Sequence, residues 1–95
     1  MPRIRQYAEK YTDDDFRKVI RHGLTDLGYR YDSELAEVTT MSVTTACRKV
    51  RAPSTMSLEQ LRSVIAALDP DPVAVLRFLG YSMKDIRRIA ERLAE

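Results

Sequence analysis

Apolar side chains recur along most of the chain at intervals of three and four residues, the repeat of one face of an α-helix. The clearest stripe consists of Leu58, Leu61, Val64, Ile65 and Leu68. A second stripe, nearer the N-terminus, consists of Phe16, Val19, Ile20, Leu24 and Leu27. No segment alternates between apolar and polar residues as a half-buried strand does. The pattern therefore predicts an all-α fold with five or six helices.

Residues that cap helix N-termini stand ahead of the later stripes. Ser57 and Gln60 have the spacing of a capping box, and Asp71 precedes a proline that suits the first turn of a helix. Ser82 with Asp85 caps a last helix in the same way. The inward residues of these last two helices are predicted to be Val73, Leu76 and Leu79, and then Ile86, Ile89, Ala90 and Leu93.

The first half of the chain is predicted to hold three helices. Thr12 and the three aspartates after it have the form of a capping box, and Gly28 suits a left-handed stop, so the first helix lies between them. Asp32 can cap a short second helix. Ser42 can cap a third helix that runs to about residue 50.

The composition is that of an ordinary globular domain. The chain has 95 residues, of which 44% are hydrophobic and 32% are charged, enough for a single core. One cysteine excludes an internal disulfide, and one cysteine with one histidine cannot supply a structural zinc site. No apolar run approaches the ~20 residues of a membrane span, and the N-terminus does not have the pattern of a secretion signal. We therefore expect a cytoplasmic protein with no cofactor, no metal and no small-molecule substrate.

Charge is nearly balanced over the whole chain, with a net charge of +2, but its distribution is uneven. No acidic residue lies between Glu37 and Glu59, whereas Arg48, Lys49 and Arg51 stand close together. A basic window of this kind is typical of a small nucleic-acid footprint, and it also arises by chance.

Candidates for catalysis are weak. His22 lies within the first predicted helix with no serine or cysteine nearby to activate, which is typical of a surface residue rather than a base. Cys47 stands beside Arg48, which favours a reactive thiol, but a small packing residue is the simpler interpretation. The three glycines are scattered and form no phosphate-binding loop. No catalytic residue is predicted, and the chain is not expected to be an enzyme.

The stretch from Asp32 to Val50 has the outline of two short helices joined by a tight turn. Ala36 is small where the second helix would cross the first, and Met41 can fill the gap between the helices. Ser42 can cap the second helix. The inward positions of that helix are Ala46 and Val50, and its outward positions are Val43, Thr44, Cys47 and Arg48.

This arrangement resembles the phage repressor and Cro-like helix-turn-helix proteins, also called the xenobiotic-response-element type. The residues that carry the resemblance run from Leu35 to Ser42 and continue with Thr45, Arg48, Val50, Arg51 and Pro53, then 57–61, 65–68, 71–76 and 79–81. It covers about residues 14–81 and is greatest for the small phage and mobile-element variants. It implies a lambda-repressor-like domain over residues 12–81. Residues 82–95 then form a further helix, which either packs on the domain or forms a dimer.

The resemblance implies sequence-specific binding of double-stranded DNA in the major groove by a recognition helix at about residues 42–50, in a transcriptional regulator. It assigns base contacts to Val43, Thr44 and Arg48, and phosphate contacts to Thr45, Lys49 and Arg51. Binding to two-fold operators implies a homodimer, for which the C-terminal helix is the candidate surface. Residues 1–11 contain three cations and two tyrosines, and form an arm along DNA, a disordered tail or a segment packed on the core.

Three positions depart from the family pattern. Lys49 stands where many relatives have an apolar residue, whose packing Val50 takes over. Thr40 stands where the family usually has glycine, because the turn there needs a positive φ that suits a β-branched residue poorly. Asp32 lies near a position that usually contacts phosphate, which its charge would repel, so it is expected to act only as a cap. These departures and the low net charge favour an alternative function: a helical protein–protein interaction adaptor on the same scaffold, without DNA binding.

Overall fold

A computed structural model describes the backbone of residues 2–94 and the side chains of residues 13–94. Within that range the six α-helices are α1 (Pro2–Asp26), α2 (Leu35–Val38), α3 (Val43–Arg51), α4 (Leu58–Leu68), α5 (Pro72–Phe78) and α6 (Met83–Ala94). Two single turns of 3-10 helix, Asp32–Glu34 and Pro53–Thr55, precede α2 and follow α3. Residues 2–94 contain no strand, and the prediction of an all-α chain with five or six helices is confirmed.

One cluster of buried side chains joins the first four helices. Its members are Phe16, Ile20 and Leu24 of α1, Leu35 of α2, Met41 of the turn between α2 and α3, Ala46 and Val50 of α3, and Leu61 and Val64 of α4. Val75 and Phe78 of α5 cover one edge of the cluster. The ring of Phe78 stacks on that of Phe16, with the ring centroids 4.1 Å apart and the planes 9° from parallel. Removal of this apolar surface from water is the main force that holds the helices together.

The first helix is longer than its stripe predicts. It begins at Pro2, so the predicted start at Thr12 was wrong and the three aspartates lie inside the helix. Two of these aspartates have partners other than the backbone of α1: Asp13 bonds to Ser54, and Asp14 pairs with an arginine one turn later. The predicted stop is confirmed, since Gly28 has a φ of 89° just beyond the end of α1. The side chains of residues 1–11, the predicted arm, lie outside those described.

Gly23 marks the place where α1 crosses α4. A Cβ at this position would lie 3.0 Å from the Cβ of Leu68, which is closer than two carbon atoms pack. Glycine costs about 1 kcal/mol relative to alanine inside a helix. Here the missing side chain allows the two helices to approach.

The caps predicted for the later helices are confirmed. Ser57 Oγ accepts a hydrogen bond of 3.1 Å from the Gln60 N–H, and Gln60 Oε1 accepts one of 3.0 Å from the Ser57 N–H. Asp71 Oδ1 accepts a bond of 3.1 Å from the backbone N–H two residues later. At the start of α6, Ser82 and Asp85 cap each other's backbone N–H groups. The hydrogen bond from the Ser82 hydroxyl is the largest of the effects that lower the pKa of Asp85.

The ends of three predicted stripes are exposed rather than buried. Leu27, Leu58 and Leu79 each keep at least half of their surface exposed. All three stand at or just beyond the end of a helix, where no neighbouring element covers the stripe. In α5 the predicted inward face was also displaced, because Val75 and Phe78 are the residues that pack on the cluster.

The last helix is attached along only part of its apolar face. α6 contacts α5, and its Ile86 is buried while Ile89 is half-buried. Leu93, one turn further on, is 82% exposed. The stripe predicted for this helix is therefore covered at its start and open at its end. No helix within residues 2–94 combines the length and the apolar composition needed to cross a bilayer.

Candidate nucleic-acid interface

The candidate site is built on α3, whose position is determined by a cap and by two small apolar residues. Ser42 Oγ accepts a hydrogen bond of 3.2 Å from the Thr45 N–H, which confirms the predicted start of this helix. Ala46 and Val50 have no exposed surface, as expected for the inward pair of α3. Because these residues are four apart, the opposite face of α3 is turned to solvent.

The side chains to which the resemblance assigns base contacts are exposed at the start and on the outward face of α3. Val43 is 58% exposed, and Thr44 and Arg48 are also exposed. Thr44, Arg48 and Arg51 follow each other at spacings of four and three, so they share one helix face. No group within residues 13–94 pairs with the guanidinium of Arg48. All five of its N–H donors are available to a ligand.

The three residues with predicted phosphate contacts differ in their surroundings. Arg51 is exposed, beside Arg48 on the outward face. Thr45 is half-buried, and its hydroxyl accepts a hydrogen bond of 2.9 Å from Ser42 Oγ. The Lys49 ammonium donates to the backbone carbonyl of Thr55 at 2.7 Å and approaches its hydroxyl at 3.4 Å. Of the three, Arg51 is therefore the most accessible to a phosphate, while Lys49 is engaged with the turn that follows α3.

The turn that leads into α3 forms without the positive φ expected at Thr40. Among the described residues other than glycine, only Asp69 has a positive φ. Thr39 is extended instead, and its hydroxyl donates to the Leu35 carbonyl at 2.7 Å while accepting from the Met41 N–H at 3.4 Å. Met41 is buried, as predicted for the residue that fills the gap between the helices. The threonine-bonded turn therefore replaces the left-handed glycine turn.

Thr40→Gly is therefore expected to lower the free energy of unfolding by about 0.4–1 kcal/mol, because glycine adds entropy to the unfolded chain without relieving strain here. Urea denaturation followed by far-UV circular dichroism measures the change. Gly28→Ala is the comparison variant at a position that does require glycine, since alanine is strained at a φ of 89°. A Thr40→Gly variant that is more stable than the wild type would contradict the turn as described.

Asp32 does not cap a helix, contrary to the prediction. Its two carboxylate oxygens accept hydrogen bonds of 3.2 and 3.1 Å from Nε and Nη2 of Arg21 on α1. That hydrogen bonding, with the attraction of the carboxylate charge, raises the pKa of Arg21. The N–H groups of Arg30 and Tyr31 are instead capped by the carboxylate of Glu34, at 3.0 and 2.9 Å. The turn that contains Asp32 contacts α3, so the paired arginine counters an acidic charge close to the candidate site.

Two residues of α1 reach the end of α3 and were not among the predicted site residues. Arg17 donates hydrogen bonds to the backbone carbonyls of Val50 and Arg51, at 3.3 and 2.6 Å. Asp13 accepts two from Ser54, from the backbone N–H at 2.8 Å and from the hydroxyl at 2.9 Å. These contacts join residues 33 to 41 positions apart, and no spacing in the sequence indicates them.

Other groups that bear chemistry are dispersed. His22 is on the surface, with Nε2 3.6 Å from an oxygen of Asp26. Cys47 is half-buried on α3. Within residues 13–94 no three His, Cys, Asp or Glu side chains come together as metal ligands. A cleft of about 540 Å³ lies between α1 and α5, and the stacked rings of Phe16 and Phe78 are part of its lining.

The comparisons with other proteins provide no relative. No protein-family model matches the chain, and neither a curated protein nor a solved structure matches it.

Proposed function

We propose that the chain is a lambda-repressor-like helix-turn-helix protein that binds double-stranded DNA by laying α3 in the major groove. The observation that carries the proposal is the exposed, unpaired guanidinium of Arg48 on the outward face of α3, directly opposite the fully buried Ala46 and Val50. A recognition helix needs this combination of a firmly seated inner face and an outer face with free hydrogen-bond donors.

The side chains of α3 supply the chemistry of base recognition. Arg48 binds O6 and N7 of a guanine through two parallel hydrogen bonds, a contact that discriminates by about 1–3 kcal/mol. Val43 contacts a thymine methyl group, and Thr44 bonds to a neighbouring base edge. These three contacts determine the sequence preference.

Phosphate contacts fix the position of the helix without reading the sequence. Arg51 is the strongest candidate because it is exposed on the same face as Arg48. Thr45 donates its hydroxyl proton, and Lys49 contributes once its ammonium turns from Thr55 towards the backbone. Because no acidic residue lies between Glu37 and Glu59, α3 itself carries no like charge for the phosphates to meet.

The proposal is tested by selection from a randomised duplex library at about 100 mM salt, followed by sequencing of the bound pool. We expect one enriched motif that contains a guanine. A pool without enrichment, with binding that disappears as salt rises, would leave only a general electrostatic contact and would refute the regulator function.

The proposed regulator is a homodimer that joins through α6. Leu93 supports this arrangement, because it is 82% exposed at the open end of the α6 stripe, and Met83 at the start of the helix exposes further apolar surface. A palindromic motif, with half-sites about one helical turn apart, is then expected from the selection. Light scattering on wild-type protein and on Leu93→Glu measures the oligomeric state, and a wild-type monomer at all concentrations, bound singly to DNA, would exclude the dimer.

One observation favours the alternative of a protein-interaction adaptor. Leu79, Tyr81, Met83 and Leu93 are all exposed around α6, and this helix also carries four basic residues. An adaptor would bind its partner through this surface and would show no sequence preference for DNA. The library selection therefore distinguishes the two functions, and Arg48→Ala would leave partner binding by an adaptor unchanged.

A further inference from the structure

The C-terminal end of α3 lacks the usual means of satisfying its carbonyl groups. Many helices end on a residue in the left-handed conformation, which folds the next backbone N–H groups back onto the last carbonyls. Here the residue after α3, Ala52, has φ −135° and ψ 74°, and only its own N–H bonds back, to the Arg48 carbonyl. Pro53 follows and has no N–H to donate.

The next two N–H groups along the chain are also turned away from α3. The Ser54 N–H bonds to Asp13, and the Thr55 N–H bonds to the Ala52 carbonyl at 3.0 Å. In a continued helix these two groups would have bonded to the carbonyls of Val50 and Arg51. The carbonyls of Val50 and Arg51 in the last turn of α3 are therefore not satisfied by the backbone N–H groups that would follow them in a helix.

Arg17 of α1 binds both of these carbonyls with one guanidinium. Its Nε donates to Val50 and its Nη2 to Arg51, while Nη1 pairs with Asp14 at 3.1 Å and so holds the planar group in place. A positive charge at this end of a helix is also favoured by the helix dipole. The bonding is specific to arginine, since a lysine ammonium does not offer donors in this forked arrangement.

Asp13, one turn before Arg17, fixes the segment after α3. Both of its carboxylate oxygens accept hydrogen bonds from Ser54, at 2.8 and 2.9 Å. The side chains of Asp13 and Arg17, here named the α1 clamp, therefore bind two successive parts of the chain. One part is the last turn of α3, and the other is the turn Pro53–Thr55.

We propose that the α1 clamp is a positioning device for DNA recognition: it sets the angle at which α3 enters the groove, although neither of its residues contacts DNA. The apolar contacts on the inner face of α3 are made by Ala46 and Val50, which lie on one line along the helix. The clamp adds a second attachment at the end of α3 that carries Arg51, and the two attachments together fix the direction of the helix. The inference rests on the proposed DNA-binding function.

Arg17→Met tests the clamp, with Lys18→Met as the matched control. Both changes remove one positive charge from α1, but Lys18 is exposed and bonds to no described residue. The measured quantity is the ratio of affinities for the selected site and for the same site with the Arg48 guanine replaced. At a temperature where circular dichroism shows both variants folded, we expect Arg17→Met to reduce this ratio about tenfold and Lys18→Met to leave it unchanged. An unchanged ratio in folded Arg17→Met would overturn the positioning role.

A second variant keeps the test decisive if Arg17→Met does not fold. Asp13→Ala removes the other half of the clamp and is compared with Asp15→Ala, which removes a carboxylate from the same helix that bonds to no described residue. The ratio is expected to fall in Asp13→Ala and to persist in Asp15→Ala. Equal ratios in these two variants would contradict the proposal.

Amide hydrogen exchange on the free protein separates failure of the clamp from failure of the proposed function. The Ser54 amide, which donates to Asp13, is expected to exchange about tenfold faster in Asp13→Ala than in Asp15→Ala. If the wild type selects no DNA sequence, the proposed function fails, and the positioning role in DNA recognition fails with it. Faster Ser54 exchange in Asp13→Ala would then still establish the hydrogen bond between Ser54 and Asp13. Unchanged exchange would refute that contact too.

Discussion

Replacing Phe16 with alanine is expected to lower the free energy of unfolding by about 3–5 kcal/mol. The side chain is 1% exposed, and its ring stacks on that of Phe78 at a centroid distance of 4.1 Å. The truncation would therefore open a cavity between α1 and α5 and leave the second ring without its partner. Since small domains have a total stability of about 5–15 kcal/mol, this one change removes a large part of it.

Urea denaturation followed by circular dichroism measures the effect, with Leu27→Ala as the control. Leu27 follows α1 and is half exposed, so its truncation is expected to cost well under the core value, about 1 kcal/mol or less. A double-mutant cycle with Phe78→Ala isolates the ring pair, for which a coupling of about 0.5–1.5 kcal/mol is expected. If Phe16→Ala were no more destabilising than Leu27→Ala, the core would be packed differently from the structure described.

Arg48→Ala is expected to weaken binding to the selected DNA site by about 5- to 150-fold, the equivalent of 1–3 kcal/mol, and to remove the base preference at one position. The stability of the free protein should change little, because no described residue pairs with this guanidinium. Fluorescence anisotropy with the selected duplex, and with duplexes that vary at the guanine, measures affinity and preference together.

Arg51→Ala and Lys49→Ala provide the contrast with Arg48→Ala. As phosphate contacts they are expected to weaken binding to all sequences alike, and to reduce the slope of log affinity against log salt by about one each. The effect should be larger for Arg51, since Lys49 is bonded to Thr55. If all three variants bound DNA as the wild type does, α3 would not be the DNA-binding element.

The helix starts that could be predicted are those whose signals are local. Ser42, Ser57, Asp71 and Ser82 each bond to a backbone N–H two or three residues away, so the cap and the group it satisfies lie within one short segment. The aspartates after Thr12 have the same local form, yet they lie inside α1. A cap pattern indicates where a helix can begin, but not whether the preceding residues continue it.

Burial was predicted correctly for the residues in the middle of a stripe and wrongly for the residues at its ends. Phe16, Ile20 and Leu24 are buried because α1 has neighbours on that side along their whole length. Leu58 and Leu79 obey the same spacing but stand at the ends of α4 and α5, where no element covers them. A periodic pattern defines a face, whereas the extent of the covered face depends on the lengths of the other helices.

The outward face of α3 followed from the chain alone, because the inward residues Ala46 and Val50 define its opposite side. The turn before α3 could not be predicted in this way. The family's turn contains a glycine, whereas this turn depends on two hydrogen bonds of the Thr39 hydroxyl. The pairing of Asp32 with Arg21 could not be predicted from the chain alone either.

Patterns within about four residues therefore account for the all-α class, the later caps and the inner faces of α1, α3 and α4. The candidate DNA-contacting residues were assigned by the family resemblance. Contacts between distant residues account for the rest, above all the binding of Arg17 and Asp13 to the end of α3. The physical reason is the range of the forces involved. Helix periodicity and capping act between neighbours along the chain, whereas the orphaned carbonyls of α3 find their donor on a helix 33 residues away, which only the packing of α1 against α3 brings within hydrogen-bond distance.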